Sequence, residues 1–135
     1  MIKAEIHYID NSYYIKVNGH ADYAPKGYDI VCAGVSALTS AFYGALFAAS
    51  VQDYCHSFKV VTDDGEFCVF IDRIKNKCAD ETVRSLLLML GAGLDVIERQ
   101  YPAHLKLNVF DLPERDNDND TSEQTMNSVR EEDKG

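Results

Sequence analysis

The 135-residue sequence predicts an α+β fold: a two-layer sandwich with a mostly antiparallel sheet, element order ββαββαβ, and two helices on one face. Three observations carry this prediction. Two stretches of strand-like alternation each fold back at a turn signal, each is followed by a window of helical periodicity, and a final alternating run follows the second helix. The length suits one modest core and not a second, and 46% hydrophobic against 26% charged residues places the chain among globular proteins rather than fibrous or disordered ones.

Residues 1–9 alternate, with Ile2, Ala4, Ile6 and Tyr8 on one side and Lys3, Glu5 and His7 on the other, which is the period of a half-buried strand. The turn signal Asp10-Asn11-Ser12 leads into a second strand at residues 13–17, and Asn18-Gly19 ends it. From residue 31 to about residue 54 the spacing becomes helical, with Val35, Leu38, Phe42, Leu46 and Ala49 as one apolar stripe. Beside that stripe runs a column of small residues, Ala33, Ala37, Ala41, Gly44 and Ala48, that lets the helix approach closely to a sheet or to another subunit. Asp64-Gly65 between β-rich runs at 58–63 and 66–72 marks a second hairpin. Val83, Leu86, Leu87, Leu90, Leu94 and Ile97 define a second helix over roughly residues 79–101, stopped by Pro102, and Leu105, Leu107 and Val109 alternate as the last strand.

The net charge of -9 is unevenly distributed. Residues 111–135 hold nine acidic and three basic side chains and few apolar ones, so this segment is expected to be a disordered, solubilising acidic tail that repels nucleic acid. No charged, then apolar, leader opens the sequence, and the apolar-leaning stretch at 30–51 is interrupted by Ser36, Thr39, Ser40, Tyr43, Gly44 and Ser50. A cytoplasmic protein without direct nucleic-acid or membrane binding is therefore expected. Cys32, Cys55, Cys68 and Cys78 lie 23, 13 and 10 positions apart, with no Cys-x-x-Cys, which suits reduced thiols and offers no metal-ligand spacing. Neither a metal nor another cofactor is expected.

One stretch carries chemistry. Cys32 falls at the predicted start of the first helix and His20 at the end of the second strand. A thiol is a useful nucleophile as its thiolate, and a helix N-terminus and a neighbouring imidazole both favour that form. Backbone N–H groups at the same helix start, those of Cys32 and Ala33, are placed to hold an oxyanion, and His20 is placed to take the thiol proton and return it to a leaving amine. Asp29 or Asp22 is available to orient the imidazole, and Asp29 is equally suited to cap the helix. Ser36, one turn beyond Cys32, either lines the cleft or bonds back to its own helix. Tyr23 and Tyr28 suit either a groove for an apolar peptide or the edge of the core. His7, His56 and His104 have no constellation around them in the sequence.

The run Gly19-His20-Ala21-Asp22-Tyr23-Ala24-Pro25-Lys26-Gly27-Tyr28-Asp29-Ile30-Val31-Cys32-Ala33-Gly34-Val35-Ser36 closely resembles the signature of the ribosomal-processing cysteine protease Prp family: Gly-His-Ala, then Gly-x-Asp, then Val-Cys-Ala-x-Val-Ser. The resemblance extends over residues 1–110, taken as one cysteine protease domain, and leaves the tail without a counterpart. It implies that His20 is the general base and Cys32 the nucleophile, with Gly19, Gly27, Asp29 and Ser36 shaping the loop. It also implies a homodimer with a mobile loop over the dyad. The protein substrate it implies is the N-terminal extension of large-subunit ribosomal protein number twenty-seven, whose removal supports ribosome assembly. A phage-type relative acting on capsid or scaffold proteins, and a non-catalytic ribosome-associated binding module, are the alternatives.

Overall fold

The computed structural model describes residues 1–111; the expected acidic tail beyond them lies outside the described residues. In chain order the elements are β1 (Ile2–Ile9), β2 (Ser12–Asn18), α1 (Ile30–Ala48), a single 3-10 turn (Val51–Tyr54), β3 (Cys55–Asp63), β4 (Glu66–Ile74), α2 (Lys77–Gln100) and β5 (Leu105–Asp111). The five strands form one sheet in the order β3-β4-β2-β1-β5. Three pairings are antiparallel, while β5 lies parallel to β1 with Ile2 opposite Leu105, so the sheet is mixed. The parallel edge has a simple cause. Tight turns fix the direction of β2 against β1 and of β4 against β3, whereas β5 follows a 24-residue helix and inherits no such constraint.

The alternation read from the sequence sorts the sheet into two faces. Ile2, Ala4, Ile6 and Tyr8 of β1, Tyr13, Ile15 and Val17 of β2, and Phe67, Val69 and Ile71 of β4 are buried beneath the helices. From α2, Val83, Leu87, Leu90 and Leu94 complete the same core. Tyr13 also anchors α2 through a polar contact: its hydroxyl donates to Asp80, which accepts from Arg84 Nε at 3.1 Å. Burial, followed by the Asp80 hydrogen bond and charge, pushes the Tyr13 hydroxyl well above the ordinary tyrosine range, so it remains a donor.

Helix α1 ends earlier than its periodicity predicts. Ser50 takes a left-handed backbone (φ 54°), which stops the helix and turns the chain toward β3. The helix buries Val31, Val35, Thr39, Phe42 and Leu46, and Thr39 satisfies its hydroxyl on Val35 O at 3.0 Å. Ala33, Ala37, Ala41, Gly44 and Ala48 are all exposed, so the small-residue column faces away from the sheet. The close approach between helices lies elsewhere: a Cβ added at Gly93 of α2 would fall 2.7 Å from Leu38 Cδ2 of α1.

Candidate active site

Register positions His20 against the second hairpin. Asn18 at the end of β2 pairs with Glu66 at the start of β4, and Gly19 N–H then donates to Gly65 O at 2.8 Å. The residue after Gly19 is therefore laid against the tip of the β3–β4 hairpin. A Cβ built on Gly65 would lie 2.8 Å from His20 Nε2, so the missing side chain at this turn is the space the imidazole occupies. Gly19 has its own requirement: its φ is +99° and a Cβ there would meet Met1 O at 2.5 Å.

From His20 the chain crosses to α1 through a loop held by Asp29. One carboxylate oxygen of Asp29 accepts from Cys32 N–H at 2.9 Å, and the other accepts from Tyr23 N–H at 3.0 Å and Ala24 N–H at 3.4 Å. Partial desolvation pushes this carboxyl up, but the Cys32, Tyr23 and Ala24 N–H donors outweigh it and hold Asp29 below the usual carboxylate range. Asp29 is thus the helix cap and the clamp of the loop. Asp22 has a left-handed backbone (φ 54°), is largely exposed and lies 3.6 Å from the Met1 amino group. Gly27, at φ +93°, gives the loop its second bend, with open space where a side chain would be.

Cys32 is half-buried and reduced, and its sulfur accepts a hydrogen bond from Ala21 N–H at 3.3 Å. His20 and Cys32 both line one open groove of about 750 Å³. Ser36 and Ser40 of α1 are also among the groove-lining residues. The hairpin tip supplies Asp63, Asp64 and Glu66, and with Asp22, Asp29 and the single lysine Lys26 the lining is predominantly acidic. Tyr28 is 78% exposed, whereas Tyr23 packs edge-on against Tyr101 and His104, so that ring covers the core edge.

Both expected oxyanion donors already have partners. With the helix beginning at Ile30, Cys32 N–H is taken by the capping carboxylate, and Ala33 N–H makes the first intrahelical bond, to Asp29 O at 3.0 Å. The N–H aimed at the sulfur is that of Ala21, the residue after His20. Gly65 and Ala21 are contacts of the site residues that sequence reading missed. Asp-Gly signalled Gly65 as a turn, but nothing local announced that the turn abuts His20. Among the described residues, no group of three or more His, Cys, Asp or Glu side chains is gathered for a metal.

A reduced thiol at a helix start and an imidazole lining the same open groove are the parts a cysteine hydrolase needs. Residues 1–106 match the cysteine protease Prp family, and the chain belongs to it. It is 29% identical over 93 residues to the ribosomal processing cysteine protease Prp of Bacillus subtilis, covering 68% of this chain and 80% of the relative. Its fold is similar to that of the essential ribosomal processing protease Prp from S. aureus in complex with a covalently linked product peptide. That similarity has a TM-score of 0.63 at 27% identity, over 81% of this chain and 99% of the other. The same protease in complex with a substrate peptide gives 0.60 at 25% identity, over 81% and 99% of the two chains. SMU.848 from Streptococcus mutans shares the fold, with a TM-score of 0.62 at 24% identity over 83% and 96%. The protein is a cysteine protease.

Proposed function

We propose that this protease removes a short N-terminal extension from large-subunit ribosomal protein number twenty-seven, with Cys32 as nucleophile and His20 as general base, and so supports ribosome assembly. The observation that carries the residue assignment is the shared groove, in which Cys32 Sγ receives a backbone N–H and His20 stands on the hairpin wall. The substrate assignment draws on the ribosomal-processing names of the relatives in Bacillus subtilis and S. aureus.

The chemistry follows from these positions. His20 takes the Cys32 proton, and the thiolate attacks the scissile carbonyl carbon, moving the carbonyl electron pair to oxygen. Collapse of that intermediate breaks the C–N bond, and the imidazolium gives its proton to the departing amine. Water, deprotonated by His20, then attacks the thioester and frees Cys32. A thiol nucleophile works without a third residue to orient the imidazole, because its pKa already lies closer to neutrality than a hydroxyl's. The four free cysteines support action in the cytoplasm, where thiols stay reduced. The exposed small-residue column of α1, flanked by Ile30 and Phe47, supports a homodimer through that helix, which sedimentation would read directly.

The test is incubation of the protein and its Cys32→Ala variant with two peptides, one carrying an aromatic-ending ribosomal extension and one a capsid N-terminus, read by mass spectrometry. Cleavage of the ribosomal peptide by the native protein alone is the expected result, with His20→Ala nearly inactive. Cleavage of the capsid peptide instead would replace the substrate. Binding of a peptide without cleavage by folded, reduced protein would replace the enzymatic reading with that of a binding module.

A further inference from the structure

We infer that His104 is a positioning residue for the catalytic thiol, acting through the backbone of Ala21. The inference rests on the assignment of Cys32 as nucleophile. His104 Nδ1 lies 2.7 Å from Ala21 O across 83 residues of sequence. A carbonyl only accepts, so the ring carries its proton on Nδ1 in this contact. Ala21 is 1% exposed, and its N–H is the group that addresses Cys32 Sγ at 3.3 Å. One buried residue therefore links an imidazole at the foot of β5 to the reacting sulfur.

His104 is itself held rigidly. Its N–H donates to Tyr101 O at 2.9 Å, closing the turn after α2, and its carbonyl accepts from Ile2 N–H at 2.9 Å at the start of β1. The Tyr23 ring packs against both Tyr101 and His104 with centroids 5.3 Å apart. Between Ala21 and Tyr23, Asp22 adopts a left-handed backbone that an L residue takes only when its neighbours are fixed. His104 fixes the chain on one side of that residue and Asp29 on the other. Removing the His104 donor leaves a buried carbonyl without its partner and loosens the Ala21 backbone, which lets the adjoining His20–Ala21 peptide turn its N–H away from the sulfur. In the reaction, the same N–H first stabilises the thiolate and then lies beside the carbonyl oxygen as the carbon–sulfur bond forms, a position left open by the engagement of Cys32 and Ala33 N–H with Asp29.

The experiment compares native protein with His104→Leu, which removes the donor at similar size, and His104→Asn, which retains one. Iodoacetamide labelling of Cys32 is resolved by peptide mass spectrometry across a pH series, alongside kcat and KM on the cleaved peptide and a thermal melt. His104→Leu is expected to lower Cys32 labelling at neutral pH and kcat by about tenfold, displace the labelling profile to higher pH and leave KM within about twofold; His104→Asn recovers most of the loss. A folded His104→Leu variant with native labelling profile and kcat overturns the inference, as does a loss that His104→Asn fails to recover. Should His104→Leu not fold, His104→Ala takes its place under the same criteria. If native Cys32 labels no faster than the exposed Cys78, the nucleophile assignment falls and takes this inference with it.

Discussion

Gly65→Ala separates the position of His20 from the stability of the fold. The substitution has two physical consequences. Gly65 has φ +74°, where an L residue costs about 1–2 kcal/mol. The new methyl would also fall 2.8 Å from His20 Nε2 and 3.1 Å from Cε1. To regain ordinary contact, the imidazole has to retreat by roughly half an ångström or more. His20 is exposed, so it yields without disturbing the core, and the steric term appears in catalysis rather than in folding. Displacements approaching 1 Å at a reacting group are associated with losses on the order of 100-fold, so a fall in kcat of roughly 10- to 100-fold is expected, with a Tm loss of about 4–8 °C. Gly65→Asn tests the division, because Asn tolerates the left-handed backbone better yet carries the same Cβ. It should recover much of the Tm and little of the kcat. The readouts are peptide cleavage under saturating substrate and thermal unfolding by circular dichroism. Native kcat in a Gly65→Ala protein whose Tm has fallen would refute the reasoning, since the imagined obstruction of the base would then have no chemical consequence.

Three further outcomes are expected. Gly93→Ala, whose methyl would meet Leu38 Cδ2 at 2.7 Å and Cδ1 at 2.9 Å, should overpack the α1–α2 contact. A loss of roughly 1–3 kcal/mol in urea unfolding is expected, with kcat nearly native. Asp29 is held below the usual carboxylate range, so its stabilising interaction is fully present above the ordinary value of about 4 and is lost as pH falls through the lowered folded value. Native Tm should therefore drop more steeply than that of Asp29→Asn as the solution is acidified below about pH 4; parallel curves would remove the carboxylate from this role. The acidic lining from Asp22, Asp29, Asp63, Asp64 and Glu66 should favour peptides with lysine or arginine beside the scissile bond. For such peptides kcat/KM should fall severalfold between about 0.05 and 0.5 M salt, while a neutral peptide is little affected.

Much of the fold was legible because its signals are local. The alternation of Ile2, Ala4, Ile6 and Tyr8, the Asp64-Gly65 turn and the α2 stripe each state their structure within a few residues, and the observed elements follow them. The direction of β5 and the end of α1 were not legible, because one depends on how a long helix returns and the other on a left-handed Ser50 that no propensity dictates. In the site, His20 and Cys32 stand out because both lie within one short motif. Gly65 and His104 are distant in sequence and reach the motif through sheet register and through the turn after α2. The partners of the expected oxyanion donors were not legible for a geometric reason: the helix starts at Ile30, early enough that Asp29 accepts from the N–H groups of Cys32 and Ala33.

That last displacement has a consequence for how the site works. In a site where the helix start both bears the thiol and binds the oxyanion, one rigid element suffices. Here the helix start is committed to capping, and the donor facing the sulfur, Ala21 N–H, and the base, His20, are adjacent residues of the segment that follows β2. The reacting geometry is therefore a property of the loop between β2 and α1 and not of α1 alone. Three supports fix that loop: Gly65 O on Gly19, the Asp29 carboxylate on Tyr23 and Ala24, and His104 on Ala21. Of the three, only the His104 support lies outside the groove lining, to which Gly19, Gly65 and Asp29 belong. Loosening the His104 contact should consequently lower kcat more than it raises KM, because the peptide keeps its groove while the sulfur, its N–H donor and the imidazole lose their common alignment.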